Sequence, residues 1–445
     1  MDNWDGGRGY GGRGGGRGGR NNFGRSYNNN NSRSSFGTYQ DSYQPRGGRG
    51  NNYQHDSRSN NNFDRGSGHN GSYYQPRPDS YNSRGRGGGR TWGPRNTGGR
   101  GRGRGPGPEP EDIEFLGIYG GDKDAITALL LDAATSQIYT GSKEGFLRTW
   151  RCSNPTAPKP VWECVSKVDM DGVVDSLLLE GGFMCVGMHN KGGGNPALQP
   201  GGIKVCHLES GKQHVLPGHQ GQVHALAAAG GMLFSGGQDG SIRAWRLDPG
   251  TACFALAKSI TAQDGGHAAA VTTLVPTDRF LFSADFHGNI KVWDMQSGQC
   301  VQTLDKGHGS VVTDMIFWQN HLISASLDSN VRIWAEAEKP APGAVLDREP
   351  AYTHVAQDAQ GKPATGGILK MTGAVDSANN AVLLTSHNGE HAVRLWELPS
   401  FADRGQLRAS DPRALGAGFA GMLFSGDMQG NLKAWRWKPA AMPVG

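Results

Sequence analysis

A hairpin pattern recurs seven times between residues 111 and 445, and it constrains the fold more than any other feature. Its clearest copy is MLFSGGQDGSIRAW at residues 232–245. Close relatives are QIYTGSKEGFLRTW (137–150), FLFSADFHGNIKVW (280–293), HLISASLDSNVRIW (321–334) and MLFSGDMQGNLKAW (422–435). Each holds a short apolar strand, a polar turn and an alternating strand that ends in Trp. Period-two alternation around a turn predicts a β-hairpin. Two copies are degraded. One ends at Cys206 and carries a Gly/Pro-rich insert in its turn; the other ends at Trp396 with a lengthened turn. The seven ends fall at 150, 206, 245, 293, 334, 396 and 435, so the shortest spacings are 39 and 41 residues. A unit of that length cannot bury its own apolar face and must stack on copies of itself.

Polar residues recur within the hairpins at fixed steps. His219, Ser235, Asp239 and Trp245 are separated by 16, 4 and 6, as are His308, Ser324, Asp328 and Trp334. His267, Ser283 and Trp293 keep the same steps, with His287 at the carboxylate position. A buried indole N–H, a hydroxyl and an imidazole each need a partner, and a carboxylate completes such a chain. The set looks like the structural tetrad of WD40 repeats. The expected fold class is therefore all-β: a seven-bladed WD40 β-propeller at residues 111–440, preceded by a disordered Arg/Gly-rich arm and followed by a tail at 441–445. The strand-like segment 113–119 (IEFLGIY) is expected to complete the last blade, because closure removes the free edges of the ring.

The propeller resembles that of plant and green-algal proteins that join CCCH zinc fingers to WD40 repeats. The resemblance covers residues 115–438. It is most specific in VRLWELPSFADRGQL (393–407) and GMLFSGDMQGNLKAWRW (421–437). It implies the fold and an RNA-linked role. Fingers in that family precede the propeller, whereas no cysteine precedes Cys152 here, so neither zinc nor finger-based RNA contact carries over.

Residues 1–110 are of another kind. They hold 29 Gly, 18 Arg, 15 Asn and 13 aromatic residues but no Lys, Leu, Ile, Val, Ala or Cys. Without aliphatic surface to bury, such a segment is not expected to fold alone. Its 18 Arg against six Asp and one Glu give it about +11, and since the whole chain carries +5, the remainder is near −6. A basic arm on a mildly acidic body points to a polyanionic partner.

Arg-Gly steps occur at Arg8, Arg13, Arg17, Arg46, Arg49, Arg65, Arg84, Arg86, Arg100, Arg102 and Arg104, with Tyr10, Tyr27, Tyr43, Tyr53, Tyr73, Tyr74 and Tyr81 among the interleaved aromatics. Guanidinium groups fork onto phosphates and stack on bases, and aromatic rings add stacking that needs no sequence. These residues, Arg65 aside, are the candidate RNA contacts, and RNA is the expected partner of the arm because single strands expose their bases. The segment resembles the RGG regions of RNA-binding proteins, which implies arginine methylation and self-association. The competing reading is a protein-only scaffold whose arm drives condensation.

The propeller is expected to bind a protein or peptide. Candidate surfaces are the inserts at 191–202 and 336–367 and the aromatics Trp162, Trp318 and Trp437, each also readable as ordinary insertion or packing. A ubiquitin-ligase receptor would carry Trp-Asp-x-Arg at a blade end, but Trp293-Asp294 is followed by Met295-Gln296. The recurring Ser, His and Asp do not read as a catalytic triad, because a triad needs one exposed nucleophile rather than several copies. No phosphate loop, G-x-S-x-G or H-E-x-x-H is present, so the expectation is a non-enzyme with no cofactor or metal. The six cysteines form no C-x-x-C pair and are expected to be buried and reduced. The absence of an apolar leader or of ~20 apolar residues in a row favours the nucleus or cytoplasm.

Overall fold

The computed structural model describes residues 109–439, except 122, 191–200, 249, 251–252, 338–343 and 357–365. The arm residues expected to touch RNA, and the tail at 441–445, lie outside the described residues. What is described is seven four-stranded antiparallel sheets. In chain order we number these blades 1 (residues 126–169), 2 (173–217), 3 (223–260), 4 (271–304), 5 (312–355), 6 (368–408) and 7 (412–437 together with 113–120). The first strand of each blade packs against the first strands of both neighbours, which closes the ring. Helix among the described residues is limited to two three-residue 3-10 turns, Ala262–Asp264 and Phe419–Gly421. Among the described residues no helix is long and apolar enough to cross a membrane.

The hairpins read from sequence are the second and third strands. The first and outer strands came with weaker patterns, because their apolar residues meet different surfaces. Each sheet packs on the next through its own cluster. Between blades 4 and 5, for example, Phe282, Ala284, Ile290, Val292, Val312, Met315, Leu322 and Trp334 form one core. Blade 7 is built from both ends of the domain: Ile113–Gly120 pairs antiparallel with Asn431–Trp437, Phe115 opposite Trp435.

One device absent from the sequence reading recurs in all seven blades. One residue near the start of each first strand, the second in six blades and the third in blade 2, is skipped in the pairing, forming a bulge at Thr127, Asp175, His224, Thr272, Thr313, Leu369 and Arg413. The bulge aims that side chain along the channel wall. Where it is Thr, its hydroxyl staples two blades together. Thr313 Oγ1 donates to Ala325 O of its own blade (3.2 Å) and to Ile368 O of the next (2.7 Å). Thr127 and Thr272 reach Val174 O and Val312 O in the same way. Blade 2 lacks the Thr, and Ser176 makes the equivalent bond to Val223 O at 2.9 Å.

The segment 336–367 is not a single insert. The outer strand Tyr352–Val355 of blade 5 divides it.

Candidate functional site

Alternation of the strands fixes which loops share a face. The turn between second and third strands lies on the same side as the connection into the next blade. The tetrad histidines sit in those connections and the carboxylates at those turns, so all of the tetrads brace one face.

In blade 3, the Trp245 indole donates to Ser235 Oγ at 2.9 Å, Ser235 Oγ meets His219 Nε2 at 2.8 Å, and His219 Nδ1 faces Asp239 at 3.1 Å. Blade 5 repeats this with Trp334, Ser324, His308 and Asp328 at 2.8, 2.7 and 3.1 Å. Each carboxylate also binds the backbone of the incoming connection, through Gln220 N (2.9 Å) and Gly309 N (2.8 Å). Burial raises the Asp328 carboxyl, but His308, Gly309 N and Asn330 N outweigh it and hold the group down at about 2. The opposing pull on His308 is burial first, which leaves its imidazole below the ordinary value despite Asp328.

Blade 4 corrects one assignment. His287 is exposed and outside the network. Its place is taken by Asp285, two residues after Ser283 rather than four. Asp285 Oδ2 lies 2.8 Å from His267 Nδ1, and the carboxylate also accepts from His287 N, Asn289 N and Asn289 Nδ2 at 2.9–3.0 Å. His267 Nε2 and the Trp293 indole both meet Ser283 Oγ, at 2.7 and 2.8 Å. Blade 3 has no room for the shorter solution. Gly237 stands where Asp285 does, and a Cβ there would lie 2.5 Å from His219 Nδ1.

A second repeating residue was overlooked although the sequence carries it. Two places before every terminal Trp or Cys stands a base: Arg148, Lys204, Arg243, Lys291, Arg332, Arg394 and Lys433. Arg243 Nη2 donates to Gly218 O at 2.8 Å, Arg148 and Arg332 reach Gly121 O and Gly307 O likewise, and Lys433 reaches Ser410 Oγ at 3.3 Å. The guanidinium thus holds the connection that delivers the tetrad His. The period-two alternation hid this signal, because a base on a strand reads as a solvated position.

The braced face carries a ring of turn residues whose N–H groups bind the incoming connection. Gln238 donates to Gln222 O (2.8 Å), Phe286 to Ala270 O (3.0 Å), Leu327 to Val311 O (3.0 Å) and Asn388 to Gly367 O (2.9 Å). On blades 1, 3 and 6 these side chains are the polar Lys143, Gln238 and Asn388, and on blade 7 the half-buried Met428. On the neighbouring blades 4 and 5 they are Phe286, 53% exposed, and Leu327, 38% exposed. Their turns abut the next connection so closely that a Cβ on Gly288 would meet His308 O at 2.3 Å, and one on Gly367 would meet Leu327 Cα at 2.8 Å. Two apolar side chains are therefore displayed from a stiff support.

The channel wall near this face is polar. His189 Nδ1 contacts Asp175 Oδ2 at 2.7 Å and Gln222 Nε2 donates to Asp175 Oδ1 at 3.3 Å. Burial, with the charges of Lys370, His189 and His219, holds His224 down to about 4. Among the described residues no three His, Cys, Asp or Glu gather as a metal site would require. Trp162 and Trp437 are buried and pack in the blades, so they present no face. All six cysteines are free thiols, but only Cys152 and Cys185 are buried, and Cys164 is exposed on the outer strand of blade 1.

These features define a WD-repeat β-propeller. The WD domain, G-beta repeat family profile matches residues 210–246, 258–294 and 298–335, the stretches that carry the three full tetrads. The chain is 37% identical over 318 residues to "Zinc finger CCCH domain-containing protein 17" of Oryza sativa subsp. japonica, a match that covers 71% of this chain and 64% of that one. It is 34% identical over 319 residues to "Zinc finger CCCH domain-containing protein 62" of Arabidopsis thaliana, covering 71% and 68%. The solved WD40 β-propeller domain of Doa1 shares the fold, with a TM-score of 0.54 at 16% identity over 73% of this chain and 97% of that one. The chain belongs to the family of these plant propeller proteins. It spans less than two thirds of the rice relative's length, and its residues 1–151 hold no cysteine.

Proposed function

We propose that this protein is an RNA-associated adaptor, in which the arm holds RNA and the tetrad-braced face of the propeller holds a protein. One contrast supports the reading. An arm of about +11, rich in Arg and aromatic residues, is joined to a body of about −6 whose stiff face displays Phe286 and Leu327. The arm's guanidinium groups pair with phosphates and its rings stack on bases, so affinity is set by charge and length rather than by sequence. Arginine methylation keeps the charge while removing hydrogen bonds, and so tunes this grip. The face works differently: exposed apolar side chains on a rigid support lose little freedom on docking.

Catalysis has no support in the site, since the recurring Ser hydroxyls are fully buried and unavailable to attack a substrate.

The test uses the full chain and a truncation beginning at Glu111. Full-length protein should bind single-stranded RNA with an affinity that falls steeply as salt rises, and the truncation should bind little. Equal binding by both overturns the role of the arm. Binding by neither favours the protein-only scaffold. In cells, Phe286→Ala with Leu327→Ala should lose the crosslinked protein partner while crosslinked RNA persists; retention of the partner moves the docking site elsewhere.

A further inference from the structure

We infer that the ring is closed by an ionic clasp and opens first at the seam between the N-terminal strand Ile113–Gly120 and the third strand of blade 7, Asn431–Trp437.

The internal bracing that secures blades 3–5 is missing at this seam. Position 409, sixteen residues before Ser425, is Ala, so no imidazole reaches the blade. Among the described residues, buried Ser425 Oγ, Trp435 Nε1 and Trp437 Nε1 have no hydrogen-bond partner. Buried polar groups without partners weaken the blade that contains them.

Charges at the root of the N-terminal strand take over. The acidic groups come from Asp112 and Glu114, and the bases come from blades 6 and 7. Arg404, on the outer strand of blade 6, bridges Asp112 and Asp376, the latter at 2.6 Å, and lies over the Trp437 ring at 5.3 Å. Arg436 Nη2 donates to Glu114 Oε2 at 3.1 Å, while its Nη1 donates to Ala157 O of blade 1 at 2.7 Å. Lys438 donates through its backbone to Asp112 O at 2.8 Å and through Nζ to Glu111 O at 2.6 Å. Blades 6 and 7 are therefore tied to the root of the N-terminal strand by charge, and Arg436 carries the link on to blade 1. Asp112 and Glu114 remain 42% and 43% exposed, so dissolved ions reach them and screen the clasp. In the tetrads of blades 3–5 the His, Ser and Trp side chains are buried and the Asp239 and Asp328 side chains are only 13% exposed, so dissolved ions screen them less. Opening the seam bares the pairing edge of the third strand and the Trp435 and Trp437 rings.

Hydrogen exchange of the full chain, read by peptide mass spectrometry at about 50 mM and about 500 mM sodium chloride, tests this. Amides of 113–120 and 431–437 should exchange roughly fivefold faster at high salt, with those of 233–245 and 322–334 unchanged. Arg404→Gln should reproduce the effect at low salt and remove most of the salt response. Should that variant fail to fold, the wild-type salt series decides alone. A uniform change across the ring, or a seam that ignores salt, overturns the clasp.

Discussion

Blades 3–5 and the arc formed by blades 6, 7, 1 and 2 have the same four-stranded architecture but are held by different means. In the first group a closed polar chain links indole, hydroxyl, imidazole and carboxylate. In the second it survives only in pieces. Blade 1 keeps the indole bond alone, Trp150 to Thr140 at 2.9 Å. Blade 6 keeps Trp396 to Thr385 at 2.9 Å and recruits His387 from the same strand, Nε2 at 3.1 Å, while its Nδ1 is buried without a partner. Blade 2 abandons the polar set for Val186 and Cys206, packed with Met170, Met184 and Met188. Either a complete network or none is cheap, whereas a partial one leaves desolvated atoms. The lesson is that ring closure shares stability among blades, so only some of them need the full network.

The largest effect that would sharpen the contrast is at Asp285. Asp285→Ala removes the partner of buried His267 and of the three turn donors, and should cost about 3 kcal/mol in chemical denaturation. His287→Ala should cost less than about 0.5 kcal/mol. Reversed values would restore the carboxylate role to position 287. Next comes Ser324→Ala, which strands both an indole and an imidazole and should cost about 2 kcal/mol. The matching Ser425→Ala removes a hydroxyl that has no partner and should lie within about 0.5 kcal/mol of wild type. Equal costs at the two positions would erase the distinction between the arcs.

The smallest effect is a pH dependence. Burial, then the charges of Arg394 and His354, hold His387 down at about 3, against an ordinary value of 6.5. The unfolded chain therefore takes up a proton that the folded one refuses. Stability should fall as pH drops from 6.5 toward 3, with His224, held at about 4, acting in the same direction. Asp328 adds a loss only lower, from 3.8 down through about 2. Denaturation midpoints between pH 7 and 5 should slope less in His387→Gln. An unchanged slope assigns the acid response to other groups.

The hairpins, the blade count and the three histidine–serine–tryptophan sets were legible because each depends on residues close in sequence and on a repeated spacing. The Asp285 substitution was not. The 4-residue step from Ser283 lands on His287, and only the folded turn reveals that a carboxylate two places nearer occupies the same space. The apolar display of Phe286 and Leu327 was hidden for a related reason. Both stand in the turns of the hairpins, just after strands that end at Asp285 and Ser326, and only the ring places them on one face, outside every core.

From the sequence alone followed a division into a cationic, aliphatic-free arm and an all-β repeat array. Composition and periodicity express how much surface a segment can bury and on which side. What only the tertiary structure decided was how the ends of the array meet, which loops share a face and which polar groups find partners. Those depend on residues up to some three hundred positions apart, as with Arg404 and Asp112, and no local pattern records a contact made across the closure of a ring.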